Sequence, residues 1–191
     1  MNKANIILSS VIFSLLLGAY HLVVSPSDEG PRLWAKYSAH LAFFYLLSAY
    51  AASILRVYFK CKVTKDLVRH RRYFGLGFTV AHTFHLVALV NFFVLSNEEP
   101  STVSIVGGGL GYLLVYMMAI TSTDTMAGKL GAKNWKTLHR GGINYLIIIF
   151  LYAFVGAILA TSIYSVYAVY VLAILLVWAL KFVSWLRAKA S

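Results

Sequence analysis

The chain has 191 residues, of which 60% are hydrophobic, 15% aromatic and only 12% charged, and its mean hydropathy is +0.76. That composition excludes a soluble globular domain and implies an integral membrane protein, with a length that suits about six helices of about 20 residues each. The net charge of +11 does not point to nucleic acid, because Lys and Arg lie between apolar runs, as membrane-flanking loops do.

In chain order, the apolar runs predict spans at about residues 5–24, 33–58, 73–95, 103–121, 141–160 and 165–185. The first run is long for a signal peptide and has no small-residue cleavage site before Pro26, so it reads as a retained span. A loop broken by Pro26, Gly30 and Pro31 follows, and Trp34, Lys36 and Tyr37 open the second span as interfacial residues. The next loop, residues 59–72, sets Lys60, Lys62, Lys65, Arg69, Arg71 and Arg72 against one acid, Asp66. Cys61 lies in that loop and, as the single cysteine, forms no internal disulfide. Glu98, Glu99 and Pro100 mark the turn after span three. Span four opens on Gly107-Gly108-Gly109-Leu110-Gly111. A phosphate-cradling glycine loop needs a strand before it, so this run reads as tight helix packing.

Fifteen of the 17 Lys and Arg residues fall on the side shared by the two termini and the second and fourth loops. Only Arg32 and Lys36 fall on the other side, with Asp28, Glu29, Glu98 and Glu99. The positive-inside rule then places both termini in the cytoplasm. The expected fold is a single-domain, all-α, multi-pass bundle of six transmembrane helices over residues 1–191.

Span three carries the chemistry. The basic cluster Arg69, His70, Arg71, Arg72 runs into an uncharged stretch containing His82 and His85. An imidazole within hydrocarbon is costly without a partner and marks a functional site by default, and a spacing of three puts both rings on neighbouring parts of one helix face. At about 1.5 Å per residue, His85 lies about 20 Å from the inner end, in the outer half of the bilayer. His40 and His21 lie at similar depth, whereas His139 opens span five at the inner surface. Two helices each offering an imidazole can ligate haem iron. Gly75, Gly77, Ala81, Gly141 and Gly142 offer room for a macrocycle, and Arg71, Arg72 and Arg140 are partners for its propionates. The plainer alternative is that these histidines hydrogen-bond between helices.

Two stretches then resemble the ferric-reductase-like transmembrane family. RRYFGLGFTVAHTFHL, from Arg71 to Leu86, is similar to the family's third-helix pattern, in which its MsrQ-type bacterial members carry a double Arg, a Gly-Leu and a ligand His. The match puts the ligand on His85, with His82 one turn earlier. TSTDTMAGKLGAKNWKTLHR, from Thr121 to Arg140, resembles the loop into the fifth helix and puts a second family histidine on His139. The resemblance implies a six-helix bundle in the bacterial inner (plasma) membrane, one or two b-type haems as the metal centre, and electron transfer across the membrane. The family's further fifth-helix histidine, thirteen residues after the one in Leu-His-Arg, is replaced by Tyr152. That leaves His40 or His21 to substitute, Tyr152 to ligate, or the outer haem to be absent; His40 suits the depth of His85 best.

The expected function is therefore that of a b-type haem-binding membrane subunit carrying electrons to an extracytoplasmic acceptor, such as a periplasmic reductase. No G-x-G-x-x-G in a βαβ setting is present, so reducing equivalents must come from a cytoplasmic flavin reductase, from bound flavin (FMN) or from quinone/quinol. A haemless membrane scaffold that keeps the bundle is the alternative from a different class.

Overall fold

In a computed structural model, which describes residues 2–24, 29–96 and 98–190, every regular element is helical. The breaker Pro26 and the acid Asp28 of the first outer loop lie outside the described residues. The order is α1 (Lys3–Val23), α2 (Gly30–Tyr58), α3 (Lys62–Arg69), α4 (Arg71–Ser96), a π-helical turn (Ser104–Gly108), α5 (Gly109–Ile120), α6 (Asp124–Leu130), α7 (Ala132–Ala160) and α8 (Val166–Ala190). Helix is what an apolar chain must form in lipid, where each backbone N–H and C=O needs a partner within its own segment.

Five helices, α1, α2, α4, α7 and α8, are long and apolar enough to cross a membrane. The expected fourth span is shorter: the 5-residue π turn runs into the 12-residue α5. That stretch qualifies only together with α6, from which it is bent by 108°. The fifth helix begins at Ala132 rather than near Gly141, so part of the expected loop, including His139, is helical. At about 1.5 Å per residue its 29 residues span about 43 Å, longer than a hydrocarbon core of about 30 Å. The other basic loop holds α3, whose Thr64 side chain donates to the carbonyls of Phe59 and Cys61.

The two ends of the bundle are chemically distinct. At one end Lys3 lies over the Tyr73 ring, Tyr58 donates to the Leu180 carbonyl, and Arg187 lies over Tyr58. Both chain termini are therefore at the basic end, where α4 begins. At the other end Arg32 pairs with Glu98 at 3.2 Å.

The core is built around α2, whose fullest pairing is with α4. Ala42, Phe43, Leu46, Ala49 and Ala51 of α2 meet Phe74, Phe78 and Ala81 of α4, Leu146, Ile147 and Phe150 of α7, and Ile174 and Val177 of α8. Lipid supplies no hydrophobic drive between helices, so close packing of small residues holds them together. On α1 the buried positions Ser10, Ser14 and Gly18 recur every four residues. Gly18 receives the Trp34 indole, and Ser10 Oγ donates to the Gly77 carbonyl at 2.6 Å. Ser10→Ala should cost about 0.6–1.7 kcal/mol, the range of interhelical hydrogen bonds in membranes, read by denaturation in mixed micelles. An unchanged midpoint would mean that the Gly77 carbonyl finds another donor.

The glycines of the Gly107–Gly111 run divide. Gly107 and Gly111 face Ile149, Tyr145 and Leu146 of α7, and Tyr145 OH donates to the Gly107 carbonyl at 2.9 Å. At these two positions the glycines serve helix packing. Gly131 joins α6 to α7 at φ +78°, a backbone region open to glycine at no steric cost.

Candidate functional site

A cavity of about 930 Å³ opens at the basic end, between α2, α4, α5 and α7. Its inner walls are apolar (Leu46, Phe78, Val115), and its rim carries Arg71, Arg72, Lys136, His139, Arg140 and Lys181. The sequence arranges this directly. Arg71 and Arg72 are the first residues of α4, and His139 and Arg140 lie two turns into α7.

Three of the rim groups are held by neighbours across the cavity. Arg71 Nη1 donates to Ser53 Oγ at 2.8 Å, and Arg72 Nη1 pairs with Asp124 Oδ1 at 2.8 Å. His139 stacks on Trp135 at 4.2 Å, and its Nε2 lies 3.1 Å from Thr121 Oγ1. Trp135 Nε1 donates to the Thr121 carbonyl at 2.9 Å. The end of α5 thus fixes both rings of α7. Deeper in, Tyr50 OH donates to Asn144 Oδ1 at 2.9 Å and accepts from Trp178 Nε1 at 2.8 Å, tying α2 to α7 and α8. Sequence reasoning missed Trp135, Tyr50, Asn144 and Lys181. The one signal available was that Lys181 is the first charge in α8.

The other imidazoles lie outside this lining. His82 is buried, stacked on Tyr112 at 4.4 Å and Phe78 at 4.9 Å, with His85 at 5.5 Å and 30° on another side. His85 Nδ1 lies 3.1 Å from Ser38 Oγ of α2. His40, two residues beyond Ser38 and so about 200° round the helix, meets Tyr167 and Tyr170 of α8 at 5.4 and 5.3 Å. His21 stacks on Tyr37 at 5.2 Å. His40 and His85 thus pack against different neighbours, Tyr167 and Tyr170 for the one and Ser38 for the other, and His40 Nε2 is buried without a hydrogen-bond partner. Tyr152 lies off the packed interior of the bundle. It is 63% exposed, because the buried face of α7 runs through Leu146, Ile147, Phe150 and Phe154.

The small residues expected to admit a macrocycle also divide. Gly75 lines the cavity, with nothing within 4 Å of where a Cβ would stand, and Gly141 is likewise open. Gly77 is filled by Tyr45, Gly142 by Met118, and Ala81 is fully buried in the core. These last three are packing positions.

Between His82 and His85 the 5.5 Å centroid separation is less than two van der Waals contacts of about 3.5 Å each. Among the described residues no group of three or more His, Cys, Asp or Glu is placed to hold a metal ion. The basic-end cavity has the volume for a cofactor, one imidazole at its rim and cations for anionic substituents. Comparison with protein-family models, curated proteins and solved structures gives no match.

Proposed function

We propose that the protein is a b-type haem-binding membrane subunit that carries electrons across the membrane to an extracytoplasmic acceptor, with its cofactor in the basic-end cavity and both termini in the cytoplasm. One observation carries the reading: a single cavity of about 930 Å³ joins an imidazole, His139, to a cationic rim and apolar walls. His139 is the residue to hold the iron, and Arg71, Arg72 and Arg140 are the partners for propionates. Haem, when bound, supplies one-electron chemistry. The chain's own residues do the rest. Leu46, Phe78 and Val115 exclude water from the inner wall, and Thr121 and Trp135 orient the His139 ring. Phe78, His82 and His85 stand in contact order from the cavity toward the opposite end of the bundle.

Charge decides the orientation. The rim and the flanking helices α3, α6 and α7 carry the basic residues, which belong on the cytoplasmic side. That side is the one a flavin reductase or other donor reaches. The test is an absorption spectrum of protein purified after expression with ample haem, with pyridine haemochrome quantification. A Soret band with about one haem per chain is expected, and a colourless preparation overturns the reading.

The outward-facing Tyr152 favours a second reading, a haemless scaffold. Under that reading, changing both His85 and His139 to Ala leaves partner binding and cellular phenotype intact.

A further inference from the structure

Of the six Lys and Arg residues that line the cavity, only Arg72 has a carboxylate partner among the described residues. Asp124 is the one acid that lines the cavity among the described residues, and it is paired with Arg72. Neither Arg71 nor Lys181 has a carboxylate partner among the described residues. Arg71 instead donates to the neutral Ser53 hydroxyl, and Lys181 Nζ lies 3.1 Å from the centre of the Tyr50 ring. The ring is fixed through its hydroxyl by Asn144 and Trp178, so it sets the ammonium in place rather than following it. A positive charge drawn into a half-buried wall costs free energy unless an anion meets it.

Lys181 is not placed as an ordinary interfacial anchor. It follows Val177 and Trp178 by four and three residues, on the face of α8 turned into the bundle. Arg187 and Lys189, both about two turns further on, are exposed and lie against Tyr58 and Trp185. Those two residues meet the need for a cationic end to the span. Lys181 is a cation more than membrane anchoring requires, and it faces a cavity whose deeper walls are apolar.

We infer that Lys181, with Arg71, is the seat for a carboxylate of a flat, largely apolar ligand whose body lies between Leu46, Phe78 and Val115. The inference rests on reading the cavity as a cofactor site, and it names what that site selects; it does not depend on which residue binds iron. Tyr50 is a positioning residue, acting through Lys181. A cation–π contact aims the ammonium while leaving its N–H donors for an incoming oxyanion.

The experiment uses the full chain in detergent micelles, with metal-free protoporphyrin IX and its dimethyl ester as probes, read by quenching of tryptophan emission. Without iron, axial ligation plays no part. The free dicarboxylate should bind at least about tenfold more tightly than the diester, the scale of one charge-assisted hydrogen-bonded contact. Lys181→Met should remove most of that preference, Lys181→Arg should retain it, and Lys189→Met, a cation of the same helix outside the cavity, should leave it unchanged. Equal affinity for the two probes, no binding of either, or an unaltered preference in Lys181→Met overturns the inference. If His139→Ala abolishes haem binding but keeps the carboxylate preference, iron ligation and the carboxylate seat are separate and both readings stand. If haem never binds yet the preference persists, the haem reading alone falls.

Discussion

Protein carrying His139→Ala is expected to insert, purify and retain its helix content, but to lose haem by at least about tenfold relative to the unchanged chain. Removing residues that merely orient a ligand already costs 10–100-fold in related sites, and loss of the ligand itself costs no less. The physical reason is local. His139 is the one histidine lining the cavity, and its ring is held by Trp135 on one side and Thr121 on the other. His85→Ala is the contrast. His85 is hydrogen-bonded to Ser38 within the α2–α4 contact and lies outside the lining, so haem content should stay within about twofold while the contact weakens by an interhelical hydrogen bond. Haemochrome quantification of both variants decides the matter. If His85→Ala loses haem and His139→Ala keeps it, the cofactor is not in the basic-end cavity.

The second large effect is steric. A Cβ on Gly77 would stand 2.8 Å from Tyr45 Cδ1 and 3.0 Å from Cε1. Tyr45 is 3% exposed, and its hydroxyl is 2.8 Å from Ser9 Oγ. A ring so enclosed gives way only by moving α1 or α2. Gly77→Ala should therefore cost about 1–3 kcal/mol, the range for overpacking a filled core. Gly142→Ala looks worse on distance, at 2.7 Å from Met118 Sδ, but an unbranched thioether side chain can swing aside, so its cost should stay below about 1 kcal/mol. Unfolding in mixed micelles separates them. Equal midpoints would show that the contact between α1, α2 and α4 is looser than its distances imply.

Much of the architecture is readable from the residues because lipid leaves the chain so little choice. An uncharged run long enough to span must be helical, and the five long helices follow the hydropathy closely. The helix starts are less readable. Lys133, Lys136 and Arg140 make residues 132–140 look like loop, yet long basic side chains on an overhanging helix can snorkel to the headgroups, and α7 runs on through them. Depth alone paired His40 with His85. What depth cannot supply is rotation: Ser38 and His40 stand on opposite faces of α2, and the hydrogen bond of His85 goes to Ser38 while the ring of His40 packs on Tyr167 and Tyr170. Tyr152 likewise stands two residues from both Phe150 and Phe154, on the face of α7 opposite the buried one. Lys181 escaped notice because a lysine near the end of an apolar run is expected at an interface, and only the Tyr50 contact shows that it points inward.

Anchorage is uneven among the five membrane-length helices, and α8 has least of it. Ile174 and Val177 are its buried residues, whereas α2 is buried along half of its most apolar window. Yet α8 supplies Lys181 to the cavity wall and, through Trp178, a hydrogen bond to the Tyr50 hydroxyl. Sub-global opening begins where tertiary contacts are fewest, so on warming this last helix should peel away first, spilling whatever the chamber holds while the remaining rods stay bunched.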